Sequence, residues 1–256
     1  MDMDMELTPA LYLIPVDLSD AAPDCVLPQG NLRIVRGIRH FIVENLRSAR
    51  RFLRRWDREF PIDECEFHEL NTHTERSGVS AWLDPLRMGT PMGLMSDAGC
   101  PAVADPGSDI VAVAQAEGLR VVPLVGPSSI LLALMASGFN GQGFTFNGYI
   151  PVAAQAREER ISDMERIARR TGQTQIFIET PYRNNKMVQC LAETLRPETM
   201  LCVATDITDP SREEIVTMSA QAWRNAKYDY DKRPAIFLIH VASAAPAAAR
   251  KGAAKR

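Results

Sequence analysis

The stretch SDAGCPAVADPGSDIVAVAQAEGLRVVPLVGPSSILLALMASGF, Ser96 to Phe139, decides the reading of this chain. It opens with a loop holding two glycines, two prolines and two aspartates, Ser96 to Gly107. A helix follows over Asp109 to Glu117, with Gly118 as its stop signal. Leu119 to Val125 reads as an apolar strand. Gly126-Pro127-Ser128 then starts a second apolar helix through Ala136, with Gly138 just past its end. In open α/β sheets, ligands bind beyond the carboxyl ends of the strands. Small residues let a backbone approach a ligand closely. Asp97 can meet a ligand ammonium or hydroxyl, or it can simply cap the next helix. The segment VGPSS, Val125 to Ser129, offers free N–H groups at a helix start, suited to polar ligand atoms. A plain N-cap with proline in the first turn is the other reading.

Outward from this segment the alternation continues. Met92 to Met95 is the strand that feeds the first loop, and Ser80 to Met88 a short helix. Leu11 to Ile14 is a first strand stopped by Pro15. Ile38 to Arg58 reads as one long helix. On the carboxyl side, strands are expected at Phe144 to Ile150, Gln175 to Ile178, Met200 to Thr205, Glu214 to Met218 and Ala235 to His240. Helices are expected at Ala156 to Arg170 and Asn184 to Leu195. The alternation implies a largely parallel sheet covered by helices. The least interrupted boundary falls near Leu124 to Gly126, giving α/β domains at 7–124 and 125–240. An Ala-rich segment, 241–256, reads as a disordered tail.

Composition bounds the function. The 256 residues are 46% hydrophobic and 24% charged, with net charge −3. That is ordinary globular composition, and any contact with a polyanion must come from a local basic patch. Five scattered cysteines do not suggest a disulfide framework, which fits a reducing cytoplasm. The start MDMDMELTPA lacks the marks of a signal peptide, and no apolar run is long enough to span a bilayer. The first strand is followed by Val16-Asp17-Leu18-Ser19 without G-x-G-x-x-G, and no G-x-x-x-x-G-K-[ST] occurs. These absences argue against a Rossmann dinucleotide site and a P-loop. Cys65, His68 and His73 lack a fourth ligand at a familiar spacing, so no metal is expected. Cys100, in its glycine-proline loop, is either a reactive thiol or a small packing residue.

The quoted stretch resembles the tetrapyrrole methylase superfamily, the class III S-adenosylmethionine-dependent methyltransferases. It is most similar there to the bacterial small-subunit ribosomal RNA 2′-O-methyltransferase I group. The likeness continues through Phe146-Asn147-Gly148-Tyr149-Ile150-Pro151 and Ile176 to Arg183, and spans roughly residues 11 to 240. It implies two α/β domains with S-adenosyl-L-methionine in a cleft between them, and a homodimer acting on ribosomal RNA or the small ribosomal subunit. Position by position, it implies cofactor contacts at Ser96, Asp97, Ala98 and Cys100, at Ser128 and Ser129, at Glu179 and Thr180, and at Pro234 and Ala235. Pro15 and Leu18 would border the cleft. The chain departs from the group in its first loop, Pro15 to Asp20, where the group reads P-T-P-I-G-N-L. It departs again at Val43-Glu44-Asn45-Leu46-Arg47, where the group has Glu-Asp-Thr-Arg. Both loops face the acceptor, so a tetrapyrrole or another small acceptor is the alternative substrate. A cofactor- or RNA-binding module without turnover is a third reading.

One feature stands without any family. Helical spacing places Arg47, Arg50, Arg51, Arg54, Arg55 and Arg58 in one broad arc, with Glu44 inside it and Asp57 at its margin. Ile42, Leu46, Phe52, Leu53 and Trp56 fall opposite. Guanidinium groups suit phosphate oxygens, so Arg50, Arg51, Arg54, Arg55 and Arg58 form a candidate RNA face. A solvated face paired with carboxylates is the competing reading. For a weak hydroxyl nucleophile a general base would help. Glu44 is the candidate, with Arg47 steering a phosphate; both also fit plain surface roles.

Overall fold

The computed structural model describes residues 7–70, 74 and 76–241. The chain divides into two compact units. The first holds the residues up to Ser129 together with Thr208–Pro210, and the second holds Ile130–Ile207 and the residues from Ser211 on. The tail expected over 241–256 lies outside the described residues apart from Val241, which is buried. No described helix is long and apolar enough to cross a membrane.

The first unit runs β1 (Leu11–Leu13), α1 (Gln29–Arg36), β2 (His40–Val43), α2 (Leu46–Trp56), β3 (Glu66–Glu69), α3 (Asp84–Arg87), β4 (Met92–Met95), α4 (Ser108–Ala116) and β5 (Val121–Pro123). The strands form one sheet in the order β3-β2-β4-β1-β5. Every pairing in it is parallel. Helices cross between parallel strands and cover both faces, so the core splits in two. Strand alternation sends Tyr12, Phe41 and Val43 to one side, where Val35, Phe52 and Leu53 pack. It sends Leu11, Ile42 and Leu94 to the other, against Leu83, Leu86, Ile110 and Ala114.

The expected long helix over Ile38 to Arg58 is corrected here. His40–Val43 is a strand between β3 and β4, and α2 begins only at Leu46. A short buried apolar run has no period that separates strand from helix. The break is set by Asn45, whose side chain accepts the Ser48 N–H at 3.0 Å and caps α2. Ile42 therefore lies in the sheet, Glu44 is off the helix, and Leu46 is exposed rather than buried. Neither α1 nor β3 is expected from the sequence reading. The short helix expected over Ser80 to Met88 is a 3₁₀ segment, Arg76–Leu83, running into α3.

The remaining elements are α5 (Ser129–Ser137), β6 (Phe144–Tyr149), α6 (Ala154–Thr171), β7 (Thr174–Ile178), α7 (Asn184–Thr194), β8 (Met200–Thr205), β9 (Glu214–Ser219), α8 (Ala220–Trp223) and β10 (Ala235–His240). All but the first residue of α5 belong to the second unit. Its sheet has the order β6-β7-β10-β8-β9. Only β6 and β7 pair in parallel; β10 is antiparallel to β7 and β8, and β8 to β9. The expectation of a largely parallel sheet thus fails for this unit. No helix lies between β8 and β9, so the chain returns beside itself in the opposite direction. The core gathers Ile161 and Met164 of α6, Val188 and Leu191 of α7, and Phe177 stacked on Phe237 at 5.2 Å. The buried Trp223 donates its indole N–H to the Leu201 carbonyl at 3.0 Å.

Candidate functional site

In the first unit the chain leaves β2 toward β3 at one sheet edge, and leaves β4 toward β5 at the other. Connections that diverge from neighbouring strands open a crevice at their carboxyl ends. Glu44 follows β2 directly, and Ser96 and Asp97 follow β4. Glu44 donates its N–H to the Met95 carbonyl at 3.2 Å, and its carboxylate accepts the Asp97 N–H at 3.1 Å. Burial raises the Glu44 pKa above the ordinary carboxylate range. It raises Asp97 too, against the opposing pull of Ser48 and Arg51 on α2. Asp105, in the same loop, is pushed up to about 6 by burial, then by the negative charge of Glu44. Three carboxyl groups therefore share one end of the sheet, with no cation in an ion pair with any of them among the described residues. Crowded, partly buried carboxyls of this kind mark candidate proton-transfer sites. Asp105 was not singled out from sequence, although its Asp-Pro-Gly setting in the decisive loop was the available signal.

Three loops are knitted together beside these groups. Val16 and Gly99 exchange two backbone hydrogen bonds, each of 2.9 Å, joining the loop after β1 to the loop after β4. The Cys100 thiol donates to the Pro127 carbonyl at 3.5 Å, and Asn31 donates to the Val125 carbonyl at 2.7 Å. A Cβ on Gly126 would stand 2.3 Å from the Pro15 ring, so only glycine permits this approach. Gly99 takes a left-handed φ of 70°, with Leu18 packed close against it. The structure thus brings together Pro15, Leu18, Ser96, Asp97, Ala98 and Cys100 with the segment that leads into Ser128 and Ser129. Asp97 and Ala98 are exposed, while Ser96 is buried. The Ser96 hydroxyl makes no hydrogen bond of ordinary length, though it lies near enough to favour the Asp105 carboxylate slightly. Burial pushes the Cys100 thiol up, away from thiolate character.

In the second unit, Glu179 and Thr180 follow β7, and Pro234 precedes Ala235 at the start of β10. Ile178 pairs with Ile236, so both segments sit at one end of that sheet. The charges there are matched. Glu179 Oε1 accepts from the Thr180 N–H at 2.6 Å and from Arg183 at 2.5 and 3.0 Å. Arg233 donates to Asp206 at 2.5 Å and to Glu214 at 2.9 Å, and the Asp206 N–H donates to the Pro234 carbonyl at 3.0 Å.

The arginine face is present but partly spent. Arg47, Arg51, Arg54, Arg55 and Arg58 are exposed and Arg50 is half-buried. Arg50 and Arg54 reach Asp63, at 3.2 and 4.0 Å. Arg55 pairs with Asp17, and with Asp20 at 3.4 Å. Arg47, Arg51 and Arg58 form no ion pair among the described residues. His68 stacks on Trp82 at 5.1 Å, and the Cys65 thiol donates to the Pro61 carbonyl at 3.4 Å. His73 lies outside the described residues, among which no group of three potential metal ligands occurs.

Comparison with known proteins places this architecture. No family model matches the chain. Among solved structures it resembles the methyltransferase CobJ, with TM-score 0.59 at 16% identity, over 90% of this chain and 94% of that one. It also resembles a Thermus thermophilus uroporphyrin-III C-methyl transferase complexed with S-adenosyl homocysteine, with TM-score 0.54 at 16% identity, over 90% and 97%. The fold is therefore that of the tetrapyrrole methyltransferases. In sequence, the chain is 30% identical over 232 residues to the ribosomal RNA small subunit methyltransferase I of Xylella fastidiosa, covering 88% of this chain and 82% of that protein. It is 30% identical to the Mesorhizobium japonicum protein of that name, covering 93% and 77%. With the Vibrio cholerae protein the match is 30% over 78% of this chain, and spans 65% of that protein's length, just under two thirds. The chain belongs to the ribosomal RNA small subunit methyltransferase I family.

Proposed function

We propose that the protein is an S-adenosylmethionine-dependent methyltransferase that modifies ribosomal RNA at a ribose 2′-hydroxyl. The observation that carries this reading is the knitted platform of loops after β1, β4 and β5, in a chain that belongs to the ribosomal RNA small subunit methyltransferase I family. The residues fit the cofactor. Ser96 offers a buried hydroxyl with no hydrogen bond of ordinary length, and the neighbouring Asp97 and Ala98 are exposed on a loop of tight backbone turns. When bound, the cofactor supplies an electrophilic methyl group on a sulfonium. Pro15, Leu18, Ser96, Asp97, Ala98, Cys100, Ser128 and Ser129 would hold it.

The chain's own chemistry is then alignment and proton removal. Glu44 accepts the proton of the hydroxyl, and its raised pKa makes it a better base near neutrality than an ordinary carboxylate. Arg47, exposed in the first turn of α2, steers a phosphate, and Arg51 and Arg58 extend that field. The reading includes two α/β domains, a homodimer and a cytoplasmic location.

A small tetrapyrrole-like acceptor is the second reading, favoured by the departure of Pro15 to Asp20 and Val43 to Arg47 from the group's loop patterns and by the shared fold. Transfer of labelled methyl groups decides between them. Label in ribosomal RNA of the small subunit supports the first reading; label in a precorrin-like substrate alone supports the second. Cofactor binding without transfer to either would mark a binding module.

A further inference from the structure

Within the arginine face, one residue is turned to a different task. Arg55 pairs with Asp17, whose side chain is only 6% exposed. Asp17 stands in the loop after β1, between two residues fixed to other parts of the unit. Val16 is bound on both backbone groups by Gly99, and the Ser19 hydroxyl donates to the Thr208 carbonyl at 3.1 Å. The other charged group near Asp17 is Asp20, of like sign. Asp20 itself lies within 3.4 Å of Arg55. One guanidinium on α2 is therefore the cation that both carboxylates of this loop share. A buried carboxylate that loses its cation is strongly unfavourable, so the loop must move or take up a proton. The same loop carries Pro15 and Leu18, which pack on Gly126 and Gly99 of the neighbouring loops.

We infer that Arg55 is a positioning residue, whose ion pair with Asp17 latches the loop after β1 onto helix α2 in the shape that the cofactor-binding platform requires. This rests on the reading under Proposed function only for what the platform binds. Arg55 is accordingly withdrawn from the RNA face, and its loss acts through the loop rather than through phosphate contacts.

The test compares Arg55→Met, Arg55→Lys, Asp17→Asn and the double variant Asp17→Asn/Arg55→Met with the wild type. Arg166→Met, which breaks the exposed pair with Asp163, is the control. Hydrogen exchange is read over residues 16–21, and S-adenosylhomocysteine affinity by calorimetry. Arg55→Met should speed exchange in that segment and weaken affinity, each by about tenfold. Arg55→Lys should recover part of both. The double variant should lie nearer the wild type than Arg55→Met, because it leaves no unpaired buried charge, and it keeps the question open to measurement if a single variant fails to fold. Unchanged exchange in Arg55→Met overturns the inference. So does faster exchange with affinity intact in a wild type that binds. If the wild type gives no heat, the proposed function falls instead, and the exchange readout alone decides whether the pair fixes the loop.

Discussion

The two sheets end differently. At the end of the first unit's sheet, Glu44, Asp97 and Asp105 stand together without an ion-paired cation, and burial raises all three. At the corresponding candidate segments of the second unit, Glu179 is held by Arg183, and Asp206 by Arg233 and Arg212. Matched charges hold a turn in place, whereas unmatched carboxyls keep proton affinity available for chemistry. On the proposed function, reactivity would lie in the first unit and support in the second.

The strongest way to break this contrast is Glu44→Gln. The amide keeps an acceptor for the Asp97 N–H but cannot take a proton. Methyl transfer should fall by roughly 10²–10⁴-fold, with cofactor-product affinity and melting temperature nearly unchanged. Single-turnover rates beside a melting curve check it. Glu179→Ala should act first on stability. By leaving Arg183 without its partner it should destabilise the fold by about 2–3 kcal/mol, read from denaturant unfolding. Cofactor-product affinity measured on protein kept folded then separates this loss from the cofactor contact that the family resemblance implies for Glu179.

Asp105→Asn sharpens the comparison from the other side. The folded-state pKa of Asp105 is raised to about 6, above its ordinary 3.8, so the folded protein binds the extra proton between those values. Stability from this group is therefore highest at low pH and falls as pH rises through that window. The asparagine variant should be more stable than the wild type above the window, by about 1–2 kcal/mol, with the gain vanishing near pH 4. A variant of equal stability at pH 8 would remove Asp105 from the strained cluster. The smallest effect is expected for Asn45→Ala, which removes the cap of α2 and should cost about 1 kcal/mol. Because this cap separates Glu44 from the helix, catalysis should suffer more than its stability loss explains.

Much of this arrangement was legible in the residues. The decisive stretch announced two tight loops at strand ends, and the loop residues named from it do meet in the first unit. What sequence could not resolve has physical causes. His40–Val43 is too short and too uniformly apolar for its period to distinguish strand from helix, so Glu44 was set among the arginines instead of at a strand end. The antiparallel second sheet depends on pairings between distant segments, as in β7 with β10, which local alternation does not encode. Asp105 gains its character from burial and then from Glu44, 61 positions earlier in the chain, and the Asp17–Arg55 pair spans 38 positions. Pairing of that kind is invisible to spacing along one helix.

The central claim is that the loop after β4 binds the sulfonium cofactor. Calorimetric titration of S-adenosylhomocysteine into the wild type and Asp97→Ala tests it most directly. Saturable heat in the wild type and affinity at least tenfold weaker in the variant are the results expected. No heat in the wild type, or equal affinity in both proteins, would contradict the account.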